Sequence, residues 1–134
     1  DGRIFQALKA AIEAEGAICE VVAPFSGEVK TSDGKTIKVD EKIDGGPSVL
    51  YDAIALLPHE TEIEALSKHP AAQAFVKDAF YHQKFIAYTD DASLLITRAG
   101  VADLLDSGCI NLSGDGAEKE FVNACRKIRH WKRC

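Results

Sequence analysis

Short apolar runs alternate along this chain with stretches whose apolar residues recur at helical spacing, and that alternation limits the fold more than any other feature. Ile4 to Glu15 places Ile4, Phe5, Leu8, Ala11 and Ile12 on one face, and Gly16 supplies a stop. Ala17 to Ala23 follows as an apolar, strand-like run that Pro24 ends. Asp33-Gly34, inside Ser32-Asp33-Gly34-Lys35, separates two β-prone runs, Glu28 to Thr31 and Thr36 to Val39, which predicts a hairpin. Gly45-Gly46-Pro47 breaks the chain again. Tyr51 to Leu57 reads as a strand buried on both faces, because Ala53 to Leu57 is apolar throughout.

The second half keeps the pattern. Thr61-x-x-Glu64 has the form of a capping box opening a short helix with Ile63 and Leu66 inward. Pro70 suits the first turn of a helix whose stripe is Ala72, Phe75, Val76, Ala79 and Phe80. Lys84 to Tyr88 and Cys109 to Leu112 read as further strands. Asp91 is placed to cap a helix carrying Ala92, Leu94, Leu95 and Ile96, and the last helix runs from about Gly116 to His130 with Phe121, Val122, Cys125 and Ile128 inward. Strands alternating with helices predict an α/β sandwich with a parallel sheet covered on both faces. With no repeat, low-complexity stretch or linker, residues 1–134 read as one domain.

Composition narrows the partners. Net charge is −5, so the chain is a poor general binder of phosphate backbones, and nucleic acid is not an expected partner. The cations Arg126, Lys127, Arg129, His130, Lys132 and Arg133 cluster at the end of the last helix, where they face the negative end of its dipole. No apolar run approaches the ~18–20 residues of a bilayer span, so no membrane partner is expected. The sequence holds no Met and opens Asp1-Gly2-Arg3, which leads to the expectation of a processed or trimmed piece of a longer polypeptide. Cys19, Cys109, Cys125 and Cys134 form no Cys-x-x-Cys pair; the first three fall in apolar settings and read as buried small hydrophobes. Free thiols favour a reducing, intracellular compartment.

In open α/β sheets, sites lie where the carboxyl end of a strand enters a helix. Three such ends are legible: Pro58-His59-Glu60, Thr89-Asp90-Asp91, and Ser113-Gly114-Asp115-Gly116. Thr89 stands where a strand-to-helix elbow presents a nucleophile, but two carboxylates follow where small residues are needed, and they would repel a developing oxyanion. No His is adjacent; His82 falls at the opposite end of the strand. The expected role of Thr89, Asp90 and Asp91 is to cap the next helix. His59 beside Glu60 reads as a surface pair, and His69, His82 and His130 stand at no metal-ligand spacing. Gly114-Asp115-Gly116 before a helix would favour an anion, except that Asp115 already puts a carboxylate there and Glu118 completes a capping pattern. No catalytic residue, cofactor site or metal site is expected; small-ligand binding at the strand-end loops, or a residual hydrolase or deglycase activity, is the alternative.

The chain nonetheless resembles a known domain. Leu8 to Ala17, Val22-Ala23-Pro24, Ser32-Asp33-Gly34, Asp40 to Ala53, Phe75 to Phe80, Lys84 to Tyr88 and Arg129-His130-Trp131 match the C-terminal domain of large-subunit haem catalases nearly end to end. Asp44 to Asp52 is the most distinctive part. The resemblance implies a flavodoxin-like three-layer sandwich with a mainly parallel central sheet, related to the class I glutamine amidotransferase-like superfamily of PfpI-type proteases, deglycases and heat-inducible chaperones. Active members place a Cys at the elbow and a Glu in the first helix region. This chain has Thr89 at the elbow and no Glu before Glu13.

The resemblance therefore implies a non-catalytic accessory domain. Haem and the peroxide-cleaving residues belong to the catalase core, and no position here inherits them. Its implied partners are that core and neighbouring subunits, with unfolded client proteins added if the domain acts as a holdase. The family pattern also begins with a strand just before Asp1-Gly2, so the first strand is expected to be missing from this chain.

Overall fold

The first helix, α1 (Gly2–Ala14), carries the predicted apolar face, with Leu8 buried and Ile4, Ala11 and Ile12 half-buried against the same cluster. Gly16 ends it at φ +77, where Ala17 N donates to Ile12 O and Gly16 N to Glu13 O, a Schellman closure. The computed structural model describes residues 2–24, 27–31, 33–44, 48, 51–58, 61–113 and 116–125. Asp1, Ser32, Gly45-Gly46-Pro47, His59-Glu60, Gly114-Asp115 and the basic end from Arg126 to Cys134 lie outside them.

Beyond α1 come β1 (Val22–Ala23), the hairpin strands β2 (Glu28–Lys30) and β3 (Thr36–Lys38), and β4 (Glu41–Lys42). The hairpin forms as predicted: Val29 pairs antiparallel with Ile37, and Gly34 turns the chain at φ +83. The predicted strand from Ala17 shrinks to two residues. Only Val22 and Ala23 find a ladder, parallel to Glu41 and Lys42, while Val21 N is taken by the Asp40 carboxylate. β4 was not legible in the sequence, because two charged residues carry no strand pattern.

The main sheet is parallel, in the order β5 (Ala53–Leu56), β6 (Phe85–Tyr88), β7 (Cys109–Asn111). Ile54 pairs with Ile86, and Ala87 with Ile110. Side chains alternate between two cores, as the period of a strand dictates. Ile54, Leu56 and Ile86 face α2 (Ile63–Ser67), α3 (Pro70–Tyr81) and α4 (Ser93–Arg98), through Phe75, Val76, Ala79, Leu95 and Ile96. Phe85, Ala87 and Ile110 face α1 and α5 (Ala117–Cys125), through Leu8, Phe121 and Val122. These are the three layers of the predicted sandwich. Ala53 and Ala55 are half-buried, so β5 is covered fully on one face only.

Val22 and Ile43 pack on the same core as Ile54 and Leu56, so the β1–β4 pair borders the α2–α4 side of the main sheet. Among the described residues, β1 pairs only with β4 and β5 only with β6, so each keeps one edge unpaired. Two capping expectations and one of burial differ locally. The residue in the cap position before α2 is Glu62 rather than Thr61, and the Glu62 side chain makes no capping bond. Ala92, not Asp91, precedes α4, because Asp90–Ala92 forms a separate 3-10 turn. Cys19, Cys109 and Cys125 are half-buried rather than fully buried.

Candidate functional site

Thr89 lies at the carboxyl end of the central strand, between the ends of β5 and β7. Its N–H donates to Leu56 O at 3.2 Å, and Leu112 N donates to Tyr88 O at 2.8 Å, so the three strand ends are drawn together there. The expected elbow position thus lies where the three strand ends meet. It is not built as an elbow. Thr89 is extended at φ −102, ψ 165 and only 9% exposed, whereas a nucleophile elbow depends on a sharp, strained turn.

The capping expectation for Thr89, Asp90 and Asp91 is also corrected. Thr89 holds the cap position, but its hydroxyl makes no capping bond. The backbone closes the turn instead, with Ala92 N donating to Thr89 O at 2.9 Å. Asp90 turns sideways: its Oδ1 accepts from Asn111 Nδ2 at 2.8 Å. The Asn111 Oδ1 in turn accepts from Ser113 N at 2.8 Å and from Ser113 Oγ at 2.5 Å. Sequence reading missed Asn111; its signal was an amide at the last strand position before Ser113. The result is a closed polar knot whose groups serve one another.

No base stands beside Thr89 among the described histidines. His82 follows α3 at the other end of β6, and His69 precedes α3, 3.9 Å from Asp44. His59-Glu60 and Gly114-Asp115 fall outside the described residues. The described thiols Cys19, Cys109 and Cys125 are half-buried. Burial, then the nearby Asp52 carboxylate, pushes Cys125 up to about 12, and burial raises Cys19 as well. Cys109 Sγ donates to Asp106 at 3.7 Å, at the start of β7 rather than its carboxyl end. Among the described residues, no three His, Cys, Asp or Glu side chains group to hold a metal. No helix among them is long and apolar enough to cross a membrane.

A second polar assembly, not legible in the residue pattern, sits at the opposite end of the sheet. Lys84 is 2% exposed. Its Nζ donates to Ser48 O at 2.6 Å and to Tyr51 O. Tyr51 Oη donates to Glu20 Oε2 at 2.9 Å, and its ring lies 6.3 Å from that of Phe75. Burial, then the Glu20 bond, lifts Tyr51 from 10.0 to about 12. Two carbonyls of the distinctive stretch from Asp44 to Asp52, those of Ser48 and Tyr51, thus accept from a buried ammonium.

No protein-family model matches the chain. It is 44% identical over 133 residues to Catalase C of Rhizobium meliloti, covering 99% of this chain and 19% of that protein. It is 29% identical over 123 residues to Catalase HPII of Pseudomonas putida (92% and 17%) and 32% identical over 99 residues to Catalase-1 of Neurospora crassa (74% and 14%). The chain thus spans less than a fifth of the length of these curated relatives. In fold it is similar to a ThiJ/PfpI domain protein from Brachyspira murdochii, at TM-score 0.77 and 16% identity, covering 96% of this chain and 88% of that one. A cysteine-to-alanine mutant of a DJ-1 superfamily protein from Salmonella typhimurium gives TM-score 0.76 and 17% identity, over 96% and 84%.

Proposed function

We propose that this chain, which is the C-terminal flavodoxin-like domain of a large-subunit catalase, is a non-catalytic accessory domain that steadies the enzyme to which it belongs. In this reading hydrogen peroxide is broken down to water and oxygen at a haem in the catalase core, and the present domain supplies no ligand or acid–base group. The observation that carries the reading is the closed knot of Asp90, Asn111 and Ser113 at the carboxyl end of the sheet. The groups that a working site would aim at substrate are bonded to each other, Thr89 lacks the elbow conformation, and none of the described histidines stands beside it.

Deletion of the domain from the full-length enzyme tests this. Turnover per haem is expected to stay unchanged while heat inactivation becomes faster. Loss of turnover in a well-folded, haem-loaded deletion variant would sink the non-catalytic reading, and unchanged heat inactivation would sink the stabilising role. A holdase role is a second reading, favoured by the exposed Ile18, Tyr81, Leu104 and Leu105. Unchanged aggregation of a heat-labile client at molar excess of the full-length protein would remove it.

A further inference from the structure

The large apolar side chains left in water share one end of the molecule. Among the described residues they are Ile18, at 88% exposure, Tyr81, at 55%, and Leu104 and Leu105. Each stands a few residues ahead of a strand: Ile18 before β1, Tyr81 before β6, the two leucines before β7. The amino ends of these strands form a row, tied by polar contacts. Tyr51, just before β5, donates to Glu20, just before β1. Lys84, just before β6, donates to the Tyr51 carbonyl. Ile86 N donates to Gly108 O, just before β7.

At the usual ~4.8 Å between strands, the row from β1 to β7 spans roughly 15–20 Å. A standard interface of about 800 Å² per partner covers such a span. The other end of the sheet carries Thr89, Asp90, Asp91, Asn111 and Ser113 and none of these exposed hydrophobes. Single exposed apolar residues are ordinary on a protein surface, but their collection at one end is the mark of a surface that is covered in use.

We infer that this amino-end face is the surface on which the domain seats against the catalase core of its own polypeptide, with Ile18, Tyr81, Leu104 and Leu105 as the apolar anchors. The inference rests on the accessory-domain reading. The occupant follows from chain length: the domain is only 19% of Catalase C, so a much larger folded body shares its chain. A tethered body meets this face at high effective concentration, so a modest apolar patch is enough to hold it.

Photo-crosslinking in the full-length subunit tests the face directly. Benzoylphenylalanine replaces Ile18, Tyr81 or Leu104 singly, and Lys38 or Asp90, both exposed and at other sites, serves as control. Several-fold more product joining the domain to core peptides is expected at the first three positions than at the controls. Equal or greater yield at Lys38 or Asp90, products joining only one copy of this domain to another, or no core peptide at any of the three positions overturns the inference. Subunit mass and the haem absorption band are read on the same samples. A subunit no heavier than the 14.5 kDa of this chain, without haem, defeats the accessory-domain reading itself, whatever the crosslinks show.

Discussion

Lys84 precedes an apolar strand and follows Phe80 and Tyr81, and residue by residue it reads as an ordinary solvated cation. Its burial depends on carbonyls that come from 33 and 36 positions away. Neither periodicity nor composition reports such a contact, which is why the buried ammonium was illegible while the buried Phe85, Ile86 and Ala87 beside it were plain. Lys84→Met keeps the length of the side chain but leaves the carbonyls of Ser48 and Tyr51 without this donor. A buried acceptor left unmet costs about 1–3 kcal/mol, so urea unfolding is expected to show a clear loss of stability. A midpoint within error of the parent chain would show that the loop satisfies its carbonyls in another way. Thr89 is the converse case: its place at a strand end was legible, but whether its hydroxyl would cap was not, since backbone and side chain compete for the same turn.

Helix ends are where the sequence speaks most clearly at the scale of elements. Gly16 and Gly100, both at positive φ, close α1 and α4 by the same bond pattern. The third such closure, after α3, uses Gln83 at φ 61, with Lys84 N donating to Ala79 O and Gln83 N to Phe80 O. A side chain in this left-handed region costs about 1–2 kcal/mol, part of which glycine returns through its greater freedom when unfolded. Gln83→Gly is therefore expected to raise the melting temperature; a lower one would mean that the Gln83 side chain makes a compensating contact.

The Tyr51–Glu20 bond, which joins the segment before β5 to that before β1, has its own signature in alkali. The folded tyrosine keeps its proton to about 12, whereas its ordinary value is 10.0. Above 10 the unfolded chain loses this proton first, so the folded state holds more protons and stability falls as pH climbs toward 12. Cys125 adds a fall of the same sign from 9.0 upward. Tyr51→Phe is expected to make the decline shallower and leave the cysteine part; an identical slope would show that the tyrosine does not contribute.

At the scale of the whole molecule, β1 and β5 border one core, are tied by Tyr51 and Glu20, and each lacks a strand partner on one edge among the described residues. The layers and the parallel sheet were legible from the alternation of patterns, but the sequence overstated the strand from Ala17, because an apolar run becomes a strand only where a neighbour supplies its ladder. Extending the chain ahead of Asp1 by an apolar strand of about six residues is expected to raise the melting temperature and lower light scattering. Each ladder bond gained is worth about 0.5–1.5 kcal/mol, and a paired edge no longer templates association. Equal melting and scattering for the two lengths would show that these edges are not where an upstream segment goes.

The β1–β4 ladder joins two residues on each side, while the β5–β6 ladder joins four and is buttressed by helices on both faces. Opening is local and begins where the fewest bonds must be broken. The molecule therefore has an order of opening built into its geometry: the residues around Val22 and Ala23 are expected to exchange their amide hydrogens while Ile86 and Ala87 are still protected. If all four exchanged together, the two sheets would be melting as one cooperative body. If they exchange in sequence, the short pair is a latch that opens and recloses while the rest of the domain stays folded.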